Sequence, residues 1–72
     1  MQYLTIEEVN ERITSLNSWL FAHQETHFMY KEVKKERDFY VNQEIEMRMN
    51  GLEEDYIKCA TSYYAQIQRD MI

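Results

Sequence analysis

Apolar positions in the first third of the chain recur at alternating steps of three and four residues. The run consists of Ile6, Val9, Ile13, Leu16, Leu20, His23 and His27. This spacing is typical of one helical face in the narrow register that packs against another helix. Thr5 precedes the run and Glu8 stands three residues later, so the two can form a capping box at the helix start. The pattern predicts a first helix from about residue 5 to residue 24.

A second apolar stripe begins after an interruption near residues 24–27, where we expect a tight turn that sends the chain back antiparallel. The stripe consists of Val41, Ile45, Met49, Leu52, Tyr56, Cys59, Tyr63 and Ile67. It predicts a second helix over about residues 28–50 and a third over about residues 52–69. Asn50 and Gly51 separate the two, and such a pair normally ends a helix. Because the stripe keeps its phase across Gly51, one long continuous second helix is the alternative.

The predicted fold class is all-α, with an antiparallel helical hairpin and a third helical segment in a single domain spanning residues 1–72. The chain contains no proline and one glycine, and no stretch alternates apolar and polar residues for long. A chain of this length buries only about 60% of the surface that its unfolded form exposes, so a monomer is marginal. The first helix is also too short to cover the second stripe. We therefore expect a dimeric helical bundle, in which a second copy covers the remainder.

Thirteen acidic and eight basic side chains give the chain a net charge of −5. Such a surface repels nucleic acid non-specifically and keeps a small protein in solution. No window of about 18 residues is apolar enough for a membrane span, so no membrane interaction is expected. The first residues carry no basic region followed by an apolar one, and Cys59 is the one cysteine. Both observations favour a cytoplasmic protein.

The two histidines raise the question of a metal site, because His23 and His27 have the spacing of two zinc ligands on one helical face. A zinc protease would need Glu directly after the first His, and Gln24 occupies that position. Only Glu25 or Cys59 could add a ligand, and only if the fold brought one of them close. We therefore expect no metal site, and we expect both imidazoles to form hydrogen bonds near the turn. Metal binding through His23 and His27 is the least favoured alternative function.

No other residue pattern indicates catalysis. Cys59 lies on the apolar stripe, and the sequence places no base beside it. A single glycine leaves no glycine-rich loop for phosphate. The sequence therefore predicts no catalytic residue, no cofactor and no enzymatic activity.

Two charged segments keep nucleic-acid-related functions as alternatives. The window from Lys31 to Tyr40 mixes bases with aromatic rings, as nucleic-acid sites often do, but interleaved carboxylates leave it near +1. This segment would serve a nucleic-acid-associated regulator. The acidic groups at residues 7–11 and 53–55 would instead suit a protein that imitates DNA. Both groups lie near predicted helix starts, where capping explains them.

Ten aromatic residues and five methionines exceed what the core of one such bundle needs. These residue types are enriched at protein interfaces. Phe39 and Tyr40 are predicted to project away from the stripe on the second helix. We expect the partner-binding residues to be Trp19, Phe21, Tyr30, Phe39, Tyr40 and Tyr64.

The function predicted from these observations is non-enzymatic protein binding by a small acidic module. An inhibitor, antitoxin or adaptor of a larger protein fits this description, and the size suits a phage or mobile-element product. The expected partners are another protein and a second copy of the chain in a homodimer.

Overall fold

The structure, a computed structural model, describes residues 2–57 and 63–70. Its elements are, in chain order, β1 (Gln2–Thr5), α1 (Ile6–Ala22), α2 (Tyr30–Met49), β2 (Glu54–Ile57) and α3 (Tyr63–Asp70). Two contacts show that α1 and α2 run antiparallel. Arg12 near the start of α1 contacts Tyr40, whereas Asn17, further along α1, contacts Arg37, which comes earlier in α2. The two helices form the hairpin that the sequence predicts, over residues 6–22 and 30–49 instead of 5–24 and 28–50.

The start of α1 is the capping box predicted from the sequence. The backbone N–H of Glu8 donates to the Thr5 hydroxyl, and the backbone N–H of Thr5 donates to the Glu8 carboxylate, both at 3.1 Å. Two of the amide donors that a helix start leaves unpaired are thereby satisfied. Val9 and Leu16 on the apolar face of α1 are fully buried. This element is therefore specified locally, by the cap and by the spacing of its apolar residues.

α2 ends at Met49 because Asn50 and Gly51 form a helix stop. Gly51 has a φ of +67°, a conformation that a glycine adopts without steric cost. Its N–H donates to the carbonyl of Arg48 at 3.3 Å, and the next N–H, of Leu52, donates to Met47 at 2.8 Å. These two bonds are those of a Schellman motif. The long continuous second helix is therefore wrong, and the break at Gly51 is right.

The segment after Gly51 is not the third helix predicted over residues 52–69. Residues 54–57 form β2, which pairs antiparallel with β1 so that Tyr3 lies opposite Tyr56 and Leu4 opposite Asp55. α3 covers only Tyr63–Asp70. The all-α fold class is wrong, and with it the dimeric helical bundle, because the described residues form three helices and a two-stranded sheet. Strands of four residues are too short for alternation to mark them.

The buried face of α2 also differs from the predicted stripe. Val33, Tyr40 and Met47 are buried at intervals of seven residues, whereas Ile45 is half-exposed and Met49 is largely exposed. α2 has few aliphatic residues, so a tyrosine and a methionine occupy the buried positions that branched side chains normally mark. The predicted stripe thus followed the wrong phase along α2, and its Cys59 lies outside the described residues.

The sheet contributes one face to this core. Leu4 and Ile57 point inward and are buried, and Ile67 of α3 joins them in the same apolar cluster. The opposite face of the sheet carries Tyr3 and Tyr56, which remain exposed. The stripe position Ile67 is therefore covered within the chain.

Candidate functional site

The six residues predicted to bind a partner do not form one surface. Trp19 and Tyr40 are buried, whereas Tyr30, Phe39 and Tyr64 are half-buried against the core. Phe21 alone among the six is fully available, with 95% of its surface exposed. The expectation that Tyr40 projects away from the buried face of α2 is wrong, because this side chain is fully buried in the core.

Tyr40 belongs to a polar cluster that joins all three helices. Arg12 of α1 donates from Nη1 to the Tyr40 hydroxyl at 2.8 Å. Its guanidinium also lies 5.0 Å from the ring centre of Tyr64 on α3, within the range of a cation–π contact. Glu36 of α2 accepts hydrogen bonds from the backbone N–H groups of Tyr63 and Tyr64, at 2.9 and 2.8 Å. A carboxylate of α2 therefore caps the start of α3.

Glu36 is the one buried charged residue among the described ones. Burial raises the pKa of its carboxyl, and this effect exceeds the opposing influence of the two N–H donors and of the Arg12 charge. The sequence did not single out Glu36 because it lies in a run of charges that resembles an exposed helix face. The cluster positions α3, and no buried side-chain nitrogen or oxygen among the described residues lacks a hydrogen-bond partner.

The connection between α1 and α2 forms one end of the molecule, which we call the hairpin tip, residues 19–30. Here the Trp19 ring stacks on His23 with centroids 3.9 Å apart, and His27 stacks on Phe28 at 4.8 Å. His27 also meets Trp19 edge-on at 5.0 Å. Phe28 is 85% exposed, so a series of ring contacts leads from the buried Trp19 to the surface.

The two histidines of the hairpin tip have their Nδ1 atoms in opposite roles. Nδ1 of His23 lies 2.7 Å from the Trp19 carbonyl, which can only accept, so this nitrogen donates. Nδ1 of His27 accepts from the backbone N–H of Met29 at 3.1 Å, so the proton of its neutral ring lies on Nε2. Only His23 therefore keeps a lone pair for a metal. No group of three or more metal-binding side chains occurs in the part of the chain that the structure describes.

The opposite end of the molecule carries the two-stranded sheet, and its outer surface forms what we call the tyrosine face, comprising Tyr3, Glu54 and Tyr56. The tyrosine rings lie directly across the two strands with centroids 4.6 Å apart. They are 51% and 64% exposed. Hydrogen bonding to the Glu54 carboxylate raises the pKa of the Tyr3 hydroxyl, and loss of solvent contact and the nearby negative charges add to this effect.

On both outer edges of the two-stranded sheet, side-chain carboxylates accept hydrogen bonds from backbone N–H groups. Ile6 N–H donates to the Glu53 carbonyl at 2.8 Å, and bonded pairs alternate along an antiparallel ladder. The N–H groups of Thr5 and Tyr56 therefore point outward, where the carboxylates of Glu8 and Asp55 accept them. An additional strand would have to displace these bonds, so the sheet end favours contacts by side chains over strand addition.

Carboxylates surround the tyrosine face. Residues 2–8 and 50–57 contain five acidic side chains and no basic one. Glu7, Glu53 and Glu54 line one recess between α1 and the sheet. Glu7 also lines an open groove of about 680 Å³ between α1 and α3, together with Glu11 and residues that include Tyr64. Capping explains Glu7, which lies in the first turn of α1, but it does not explain the acidic residues 53–55, which lead into a strand.

Sequence reasoning missed Tyr3 and Tyr56 as a pair. Tyr56 lies on the second apolar stripe of the sequence, and the role of Tyr3 depends on a partner strand far along the chain. The available signal was that each tyrosine precedes an aliphatic residue, Leu4 or Ile57, which gives one inward and one outward position. Two residues of alternation are too few to predict a strand.

No helix within residues 2–57 and 63–70 is long and apolar enough to cross a membrane. Comparison with known protein families, with curated proteins and with solved structures found no match for this chain.

Proposed function

We propose that this protein is a non-enzymatic protein-binding module that uses the tyrosine face as its principal contact surface. The observation that carries this proposal is the side-by-side exposure of Tyr3 and Tyr56, with ring centroids 4.6 Å apart. Tyrosine is one of the residues that concentrate binding energy at protein interfaces, because it combines a large apolar ring with a polar hydroxyl. Inhibitor, antitoxin and adaptor roles in the cytoplasm all require such a surface.

The tyrosine face is held in position before any partner arrives. Leu4 and Ile57 fix the inner face of the same two strands in the core, and the rings of Tyr3 and Tyr56 contact each other across the strands. Part of the order that binding requires is therefore already present, which favours affinity. This order distinguishes the pair from a single exposed side chain such as Phe21.

The nucleic-acid-associated alternative has weaker support in the geometry. In the basic window, Arg37 pairs with Asp38 at 2.8 Å and also donates to Asn17. Lys35 lies 3.9 Å from Glu32. Local carboxylates thus offset part of the positive charge that phosphate recognition needs.

The proposal is tested by capturing proteins with the tagged chain from its native host and measuring the affinity of the partner so identified. Tyr56→Ala should weaken binding at least tenfold, the loss expected of an interface anchor. Phe21→Ala is the matched control, because it removes an exposed aromatic ring at the hairpin tip and should change the affinity less than twofold. Circular dichroism of each variant verifies that the helices persist. Unchanged affinity in folded Tyr56→Ala and Tyr3→Ala would contradict the proposal.

A further inference from the structure

We infer that the segment docking on the tyrosine face is positively charged, an extended stretch of a partner protein that presents arginine or lysine side chains. This inference rests on the proposed function and names the chemistry of the partner. It follows from the charges around the face, from the continuity of the surface and from the cost of those charges to the fold.

The carboxylates at the sheet end lie outside the ion pairs of the described residues. The ion pairs within the described part of the chain are Glu32 with Lys35, Arg37 with Asp38, and Glu44 with Arg48. None of them involves Glu7, Glu53 or Glu54. These side chains therefore add negative potential at the sheet end, and no ion pair with a base in residues 2–57 or 63–70 offsets it.

The acidic surface continues beyond the tyrosine face because neighbouring regions share residues. Glu54 lies two residues from Tyr56 on the same face of β2 and also lines the recess between α1 and the sheet. Glu7 lines that recess and also the groove between α1 and α3, where Glu11 and Tyr64 lie. A path of carboxylates and aromatic rings thus leads from Tyr56 along the first turns of α1. Such a path suits an extended segment better than a single ion.

Both components of this path select cations. Carboxylates form their strongest hydrogen bonds with guanidinium and ammonium groups, and arginine binds them through two parallel bonds. Tyrosine rings attract the same groups through their faces. Arg12 already illustrates this preference within the fold, since its guanidinium lies 5.0 Å from the Tyr64 ring centre.

The like charges at the start of β2 form no ion pair among the described residues. Glu53, Glu54 and Asp55 are consecutive like charges that repel one another, and Glu53 and Glu54 are exposed. β2 has no helix start whose dipole would offset this repulsion. Side chains that weaken the sheet they belong to are typical of residues that serve binding.

A competing occupant is a second copy of the chain. The hairpin tip and the first turns of α2, residues 19–35, contain three lysines and two carboxylates, so an acidic end of one copy could attract the basic end of another. The partner reading is favoured because local carboxylates, Glu25 and Glu32, leave that region only weakly positive. The experiment therefore measures self-association alongside binding.

The test uses the full chain and a fluorescent peptide of alternating arginine and glycine, with a glutamate and glycine peptide as the comparison. Fluorescence anisotropy should show binding of the arginine peptide only, weakening as the salt concentration rises. The double variant Glu53→Gln, Glu54→Gln should weaken this binding at least tenfold. The matched control, Glu25→Gln with Glu32→Gln, changes the net charge equally at the hairpin tip and the first turn of α2 and should change the affinity less than threefold.

Three results would overturn the inference. The first is equal affinity for the arginine and glutamate peptides, and the second is an equal loss of affinity in both double variants. The third is that sedimentation shows the chain to self-associate and that the associated form does not bind the arginine peptide. Equal losses would indicate attraction by net charge alone. Binding of the natural partner to each variant distinguishes failure of this inference from failure of the proposed function. If Tyr56→Ala releases the partner and the Glu53→Gln, Glu54→Gln variant does not, the tyrosine face is a binding surface for an uncharged segment. If neither variant releases it, both proposals fail.

Discussion

The two ends of the molecule both expose aromatic rings, but they hold them in different ways. At the hairpin tip, Phe28 lies at the end of a series of ring contacts that begins at the buried Trp19. At the sheet end, Tyr3 and Tyr56 project from the outer face of paired strands and are surrounded by carboxylates. The tip is therefore an extension of the apolar core, whereas the sheet end combines rings with charge. Exposure alone does not separate the two ends, but their chemical surroundings do.

The largest effect expected is from removing the support beneath the tyrosine face. Ile57→Ala should lower the free energy of unfolding by about 2–5 kcal/mol, because this side chain is fully buried under β2, and cavities in a core carry that cost. Phe28→Ala at the hairpin tip should change it by less than about 0.5 kcal/mol. Urea unfolding followed by circular dichroism compares them. Should Ile57→Ala prevent folding, Ile57→Val should still cost about 0.5–1.5 kcal/mol, and equal effects at both ends would contradict the comparison.

A smaller effect is expected at the junction between α2 and the sheet. Gly51→Ala should destabilise the protein by about 1 kcal/mol or more, because Gly51 has a φ of +67° with nothing within 4 Å of an added methyl group. The penalty is thus conformational and not steric. A higher melting temperature in the variant would mean that α2 continues through this residue. That result would contradict the helix stop that precedes β2.

Glu36 offers a pH-dependent test of how α3 is held beside the acidic groove. Burial raises the pKa of this carboxyl in the folded protein, so the fold favours its protonated form. Its contribution to stability is therefore full below the unfolded pKa and declines as the pH rises through the folded pKa. Unfolding measured across this range should show the wild type losing stability relative to Glu36→Gln. A constant difference between the two proteins would show that Glu36 is not held as described.

The smallest effect concerns the hydrogen bond within the tyrosine face. Glu54 raises the pKa of Tyr3 by accepting a hydrogen bond from its hydroxyl group and by its negative charge. Glu54→Gln should therefore lower this pKa towards the ordinary tyrosine value, which an NMR titration of ring-labelled tyrosine would follow. Tyr3→Phe assigns the signal. An unchanged pKa would mean that the bond does not form in solution.

The difference between the two ends also explains what the sequence could predict. The capping box of Thr5 and Glu8 and the face of α1 depend on neighbours within a few residues, so periodicity and spacing were enough. The stop at Gly51 was one of two alternatives, since the local signal and the phase of the stripe disagreed. The tip histidines form the local hydrogen bonds expected of them.

The features that the sequence did not predict depend on distant residues. Pairing of β1 with β2 gives Tyr3 and Tyr56 their common face, and neither strand is recognisable alone. Glu36 caps a helix that begins 27 residues later, so its burial has no local signature. Tyr40 occupies a core position where an aliphatic residue is more usual, so the pattern of aliphatic residues predicts the wrong buried face for α2. In each case tertiary contacts override the local pattern.

The register of the sheet has a consequence for the order of folding. Its paired residues are 49 positions apart at Thr5 and Glu54, and 55 apart at Gln2 and Ile57. Closing so long a loop costs more entropy than closing the helical hairpin, because only seven residues lie between the two helices. The hairpin should therefore form first and the strands pair late. During synthesis β1 leaves the ribosome early and stays unpaired until β2 has been made. The tyrosine face therefore forms only after most of the described chain has been synthesised.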